Sequence, residues 1–162
     1  MHRHISENEP EDFAKAWRDV LSDINVSSQK GLVEMFDGSI GAGSVLMPLG
    51  GAYQMTPEEA MVAKLPAGAH TTDCATAMSF GFNPALSSWS PFHGAAYAVV
   101  ESLSRLACVG ADPLRARLSL QEYFERLSGD PKRWGKPAAA LLGALTAQAG
   151  LGTPAIGGKD SM

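Results

Sequence analysis

Two carboxylate side chains, Asp73 and Glu101, lie in sequence surroundings where a negative charge needs a stabilising partner. Asp73 lies at the start of a segment that reads as a strand, and Glu101 lies between Tyr97 and Leu103 in a run that reads as a helix. A carboxylate among apolar side chains is costly unless a cation, a metal ion or a hydrogen-bond donor pairs with it. Arg105 follows Glu101 by four residues, the favourable order for a helical ion pair. Two interpretations stay open: a Glu101–Arg105 salt bridge, or Asp73 and Glu101 jointly holding Mg²⁺, which prefers carboxylate oxygens.

The glycine-rich segment at residues 157–161 resembles part of a phosphate-binding P-loop, but its spacing fails. That motif would need a glycine at Thr153, a serine or threonine at Asp160 and a helix afterwards. The alternative is a tight turn in which Lys159 and Asp160 pair with a neighbouring segment.

The histidines and cysteines offer no complete catalytic arrangement. His93 falls in the first turn of a predicted helix, where it could face an anion or simply neighbour the cap. The sequence shows no Ser/His/Asp or Cys/His spacing typical of a nucleophilic catalytic site. Cys74 and Cys108 lack ligand-spaced partners, so the sequence predicts two reduced thiols rather than a zinc site or a disulfide framework.

Composition narrows the class of protein and its partners. The chain has 162 residues, about one domain, with 45% hydrophobic and 19% charged residues, as in ordinary globular proteins. Its formal net charge of -4 disfavours nucleic acid as a partner. The sequence has no apolar run of about 18 residues, so we expect no membrane association and a cytoplasmic location.

The elements that must position these residues follow from periodicity and capping signals. The pattern predicts an α+β fold of two layers, a mixed β-sheet with helices around residues 95–109 and 137–150 on one face. A capping box at Ser6 and Glu9 predicts a first helix to about residue 24, and a second capping signal at Thr56 predicts a short helix to about residue 65. The predicted strands comprise two between residues 32 and 49 and others at residues 72–82, 114–120 and 151–156, the last entering a glycine turn at Gly157.

Several motifs in a fixed order carry a resemblance to a known family. Together they resemble the large, single-chain form of phosphoribosylformylglycinamidine synthase, from about residue 25 to the end. The motifs are KGLVEMFD (residues 30–37), GAGSVLMP (41–48), WSPFHGA (89–95), QEYFERL (121–127) and PAIGGKDSM (154–162).

The resemblance implies a place within a longer chain. Residues 1–25 would be an N-terminal linker helix, and residues 26–162 the second ATP-binding-type domain of that synthase, truncated at its C-terminus. The implied fold is that of the N-terminal domain of aminoimidazole ribonucleotide synthetase. The implied reaction, in purine biosynthesis, is the ATP-dependent conversion of formylglycinamide ribonucleotide to its amidine with glutamine-derived ammonia. Residues 82–84 read Phe-Asn-Pro in place of a histidine-rich loop, so the resemblance implies the pseudo-symmetric, non-catalytic half, inactive in isolation.

The resemblance also implies cofactors and site residues. Relatives hold an auxiliary ADP with Mg²⁺, which makes Thr72 a nucleotide backbone contact and Asp73 and Glu101 metal ligands. One position departs from the family pattern: Arg105 stands where relatives place an asparagine ligand, and its cation would repel Mg²⁺ and attract Glu101.

Partners follow from the same resemblance. The family fold pairs sheets from two such domains, so we expect the remaining domains of the synthase as partners, and a homodimer through the sheet when the chain is isolated. The alternative is a free-standing, dimerising ADP-binding or assembly module without catalysis. A reading frame that continues past Met162 would favour the first interpretation.

Overall fold

The computed structural model describes residues 12–24, 26–36 and 38–162. The chain divides into two compact units, residues 1–37 and 38–162, and each is described by itself. The predicted boundary at residue 25 concerned family domains and stays a prediction. The described helices are α1 (Phe13–Ser22), α2 (Lys30–Val33), α3 (Pro84–Trp89), α4 (Pro91–Cys108) and α5 (Pro131–Leu151).

In the first unit, helix α1 begins later than predicted. Asp12 is its N-cap, and the Asp12 side chain accepts a hydrogen bond from the backbone N–H of Lys15. The predicted capping box at Ser6 and Glu9 lies outside the described residues. The large apolar side chains of α1 share one face and are exposed: Phe13, Trp17, Val20 and Leu21.

The strand predicted just after residue 32 is wrong, because residues 30–33 form helix α2. The backbone N–H of Glu34 donates to the carbonyl of Lys30, and the two side chains form an ion pair at 2.5 Å. This pairing across four residues fits a helical turn and not a strand.

The strands of the second unit form three separate sheets rather than the single mixed sheet predicted. Strands β1 (Ser44–Leu46), β4 (Met61–Lys64) and β5 (Ala75–Met78) form an antiparallel sheet in the order β1-β4-β5. Strands β2 (Leu49–Gly50) and β3 (Thr56–Pro57) form an antiparallel pair, and β6 (Leu118–Tyr123) and β7 (Ala155–Ser161) form a parallel pair. The predicted α+β class is confirmed at this level.

The short helix predicted from Thr56 is wrong. Thr56 and Pro57 form β3, and β4 follows, with Met61 opposite Met78 and Val62 opposite Ala77. The capping signal is local, whereas cross-strand pairing satisfies the backbone of this whole segment, so the tertiary contact prevails.

The helix predicted after Pro91 is confirmed. Ser90 caps α4, accepting a hydrogen bond from the backbone N–H of His93, and Gly110 follows the helix with a φ of 82°. Helix α5 starts earlier than predicted, because Asp130 caps it and Pro131 occupies its first position.

Helices α4 and α5 and strand β6 build the core of the second unit. Val99 and Leu103 of α4 pack with Ala144 of α5, and partly buried residues around them include Leu118 and Leu120 of β6. Helix α5 connects the parallel strands β6 and β7, as a crossover must.

Two glycines let these elements approach closely. A Cβ atom on Gly143 would lie 1.9 Å from the carbonyl oxygen of Phe92, at the crossing of α5 and α4. The glycine turn predicted at Gly157 is wrong, because Gly157 and Gly158 lie within β7. A Cβ on Gly158 would lie 2.6 Å from the carbonyl oxygen of Leu120, so this position in the strand suits glycine.

No helix in the described ranges is long and apolar enough to cross a membrane.

Candidate functional site

Thr72 and Asp73 lie just before β5. The Oδ1 atom of Asp73 is 3.2 Å from Nζ of Lys64 on the neighbouring strand β4, and the Asp73 side chain is fully exposed. The Thr72 hydroxyl accepts a hydrogen bond from the backbone N–H of Cys74 at 3.1 Å. Both predicted site residues therefore already have partners within the chain.

Glu101 lies on α4 and both of its carboxylate oxygens are engaged. Its Oε1 atom accepts from Nη2 of Arg105 at 2.7 Å, and its Oε2 atom accepts from the backbone N–H of Phe82 at 3.0 Å. The salt bridge that the sequence left open is present in the structure. Its side chains are partly buried, with 35% of Glu101 and 28% of Arg105 exposed.

Arg105 contacts more than Glu101. Its Nε atom lies 3.6 Å from Oε2 of Glu59, and its guanidinium carbon lies 4.8 Å from the centre of the Phe80 ring. We call Glu59, Phe80, Glu101 and Arg105 the Arg105 cluster. Sequence reasoning missed Glu59 and Phe80, because they lie far from Arg105 in the sequence and only the fold brings them to it.

A Mg²⁺ ion at Asp73 and Glu101 would need several oxygen ligands close together. In the described ranges, no group of three or more His, Cys, Asp or Glu side chains gathers as a possible metal site. Asp73 pairs with Lys64, and Glu101 pairs with Arg105, so each predicted ligand already faces a cation. This donor set does not fit Mg²⁺, which demands an octahedral set of oxygen ligands, because the two carboxylates are each already paired with a cation. The roles assigned to Thr72, Asp73 and Glu101 by resemblance stay predictions.

His93 lies beside the cap of α4. Its Nδ1 atom is 2.8 Å from the Ser90 hydroxyl, and its ring contacts those of Trp89 and Phe92. This placement matches the cap-neighbour interpretation. Cys74 and Cys108 are both free thiols, as predicted.

The segment compared with a P-loop lies in β7. Lys159 is opposite Gln121 and Asp160 is opposite Glu122, so the predicted pairing with a neighbouring segment is present, but the predicted tight turn is wrong because the segment is a strand. The Oε2 atom of Glu122 is buried without a hydrogen-bond partner. Burial, and secondarily the negative charge of Asp160, raise the pKa of Glu122 above its usual value.

These elements define the class of the chain, an α+β domain whose ion-paired carboxylates lie beside an exposed antiparallel sheet. No protein-family model matches the chain. It is 31% identical over 160 residues to phosphoribosylformylglycinamidine synthase subunit PurL of Deinococcus radiodurans, a match that covers 94% of this chain and 19% of the relative. It is 29% identical over 147 residues to the subunit of the same name from Halobacterium salinarum, covering 88% of this chain and 19% of the relative.

The family recognised from the sequence motifs is therefore confirmed: the chain is related to one segment of phosphoribosylformylglycinamidine synthase. The chain spans about a fifth of the length of these relatives. Both relatives carry the name of a subunit, so the resemblance to the large single-chain form stays a prediction.

Proposed function

We propose that this chain acts as one domain of a phosphoribosylformylglycinamidine synthase, in the pseudo-symmetric half that does not carry out turnover. In this proposal the whole enzyme uses ATP and glutamine-derived ammonia to form the amidine, and this segment supplies structure and an auxiliary nucleotide-binding region. The observation that carries the proposal is the match over 94% of the chain to one segment of PurL.

The local structure around residues 82–84 supports the non-catalytic assignment. The Phe82 N–H donates to Glu101, and the Asn83 side chain accepts from the backbone N–H of Leu86 to cap α3. These residues, which stand in place of a histidine-rich loop, are used to hold the fold.

The test of this assignment uses the purified chain with formylglycinamide ribonucleotide, ATP and ammonium. We expect no amidine, while PurL of Deinococcus radiodurans serves as the positive control. Amidine formed by this chain alone would overturn the non-catalytic assignment.

A chimaera tests whether the chain can serve as a synthase domain. In the PurL of Deinococcus radiodurans, this chain would replace the matching segment, with a deletion of the same segment as control. We expect the chimaera to retain amidine formation and the deletion to lose it. A folded but inactive chimaera would count against the proposal.

We further propose that the antiparallel sheet β1-β4-β5 is the surface that the remaining domains of the synthase cover, and that a second copy covers it in isolation. Met61 and Met78 lie opposite each other on β4 and β5 and are 42% and 66% exposed. Exposed apolar side chains on a sheet with open edge strands favour association.

Light scattering tests the homodimer. We expect about twice the chain mass of 17.0 kDa at micromolar concentration, and the monomer mass for Met78→Lys. Leu142→Lys, which adds the same charge at an exposed position of α5, is the matched control and should remain dimeric. A monomeric wild-type chain would contradict the homodimer.

The nucleotide role has a separate test, calorimetric titration of ADP with and without Mg²⁺. For the isolated chain we expect no tight Mg²⁺-dependent binding, because the family's remaining ligands would come from the next domain and Glu101 is already paired. Tight, Mg²⁺-dependent binding that Asp73→Ala abolishes would contradict this expectation.

A further inference from the structure

Arg105 lies where the resemblance places a metal-binding side chain. In the structure it contacts two carboxylates and an aromatic ring. We propose that the guanidinium of Arg105 supplies the positive charge that a divalent cation would otherwise supply at Glu101, so that the Arg105 cluster holds together without metal and does not bind Mg²⁺. This inference concerns the folding and cation response of the chain and does not depend on the proposed function.

The first support is the charge balance around Arg105. Its guanidinium lies between two carboxylates from different elements, Glu101 of α4 at 2.7 Å and Glu59 of the turn before β4 at 3.6 Å. A planar guanidinium with several N–H donors can serve both at once, as a bridging cation does.

The second support is that both carboxylate oxygens of Glu101 already accept a hydrogen bond. One oxygen accepts from Arg105 and the other from the backbone N–H of Phe82. A divalent ion at Glu101 would compete with these donors and would lie close to the guanidinium charge, which is unfavourable at a partly buried site.

The third support is that the cluster fixes the segment after β5, residues 79–82, on α4. The Ser79 hydroxyl donates to the carbonyl of Ser102 at 2.6 Å, and a Cβ on Gly81 would lie 2.1 Å from the carbonyl of Ala98. The ring of Phe80 lies against the Arg105 guanidinium, a cation–π contact. Arg105 thus joins α4, the segment after β5 and the turn before β4.

The experiment compares the thermal unfolding of wild type, Arg105→Gln and Arg105→Lys in metal-free buffer and in millimolar Mg²⁺ at matched ionic strength. We expect the wild-type Tm to be indifferent to Mg²⁺. Arg105→Gln should lower the Tm by about 2–4 °C and make it rise with Mg²⁺, because two carboxylates then lack a cation. Arg105→Lys, which keeps a positive charge, is the control and should stay indifferent to Mg²⁺.

Hydrogen exchange of the Phe82 amide gives a second readout. In metal-free buffer this amide should exchange faster in Arg105→Gln than in wild type, and Mg²⁺ should slow it again. A wild-type Tm that rises with Mg²⁺ would overturn the proposal. So would an Arg105→Gln variant that is destabilised yet indifferent to Mg²⁺, because Arg105 would then act by packing alone.

Discussion

Two regions of the second unit differ in how far they bury their apolar side chains. The helical region, formed by α4, α5, β6 and β7, buries Val99, Leu103 and Ala144 in a core of its own. The sheet region, β1-β4-β5, leaves Met61 and Met78 exposed. Both regions expose apolar side chains, among them Leu142 and Leu145 of α5, so what distinguishes the helical region is that it also has a core of its own.

The two regions also differ in how they are held. At the α4–α5 crossing the backbones approach so closely that Gly143 has no room for a Cβ. In the sheet region an ion pair joins Lys64 with Asp73, and a second pair, Arg105 with Glu59, joins this region to α4. Partly exposed ion pairs contribute modestly to stability, so we expect the large mutational effects in the helical region.

The largest expected effect comes from Leu103→Ala. Leu103 is 6% exposed in the core, and its truncation should lower the free energy of unfolding by about 3 kcal/mol through lost burial and a cavity. Leu142→Ala on α5, where the side chain is 57% exposed, should cost well under half of that. Urea unfolding followed by circular dichroism measures both, and equal losses would break the distinction between core and surface.

Gly143→Ala should have the next largest effect, about 2 kcal/mol of destabilisation, because its Cβ would collide with the carbonyl of Phe92. Gly135→Ala makes the same change on the same helix with nothing within 4 Å, and should stabilise by about 0.5–1 kcal/mol. The two variants should differ in sign in urea unfolding. A neutral Gly143→Ala would show that the helices can separate at little cost.

Glu122→Gln tests the unfavourable group within the helical region. The raised pKa means that the folded state binds the proton more tightly, so this carboxylate lowers stability as pH rises above its unfolded value of 4.5 and through the raised folded pKa. The amide removes the partly desolvated negative charge and its repulsion from Asp160, so it should stabilise the chain modestly at neutral pH.

The advantage of Glu122→Gln should shrink as pH falls and vanish below 4.5, where the carboxyl becomes protonated in both states. Unfolding midpoints measured across this pH range check it. An advantage that instead grew as the pH fell would contradict the raised pKa.

Met78→Ala should have the smallest effect on stability. With 66% of the side chain exposed, its truncation should change the free energy of unfolding of the monomer by less than about 0.5 kcal/mol. Dilution to a monomeric concentration before unfolding separates this effect from association. A loss comparable to that of Leu103→Ala would mean that the sheet region has a core of its own.

The sequence predicts well those features that depend on neighbours within one helical turn. Ser90 and Pro91 mark the start of α4, and Gly110 marks the position after its end. The spacing of Glu101 and Arg105 offered the ion pair that the structure contains. The ordered motifs, too, were sufficient to recognise the synthase family, because each motif is a short run of residues.

The candidate site was only partly predictable. Glu101 and Arg105 lie on one helix, so their contact follows from spacing, but Glu59 reaches Arg105 only because β4 places its preceding turn beside α4. The capping signal at Thr56 predicted a helix there, and the pairing of β4 with β5 overrode it.

By itself, the sequence determined helix α4 with its cap, the family and the contact of Glu101 with Arg105, since these depend on residues close together in the chain. The tertiary structure decided that Met61–Lys64 and Ala155–Ser161 are strands, and that Glu59 and Phe80 surround Arg105. The physical reason is the sequence separation of the contacts. Hydrogen bonds between strands that are distant in the chain outweigh weak local preferences, and a local pattern does not reveal them.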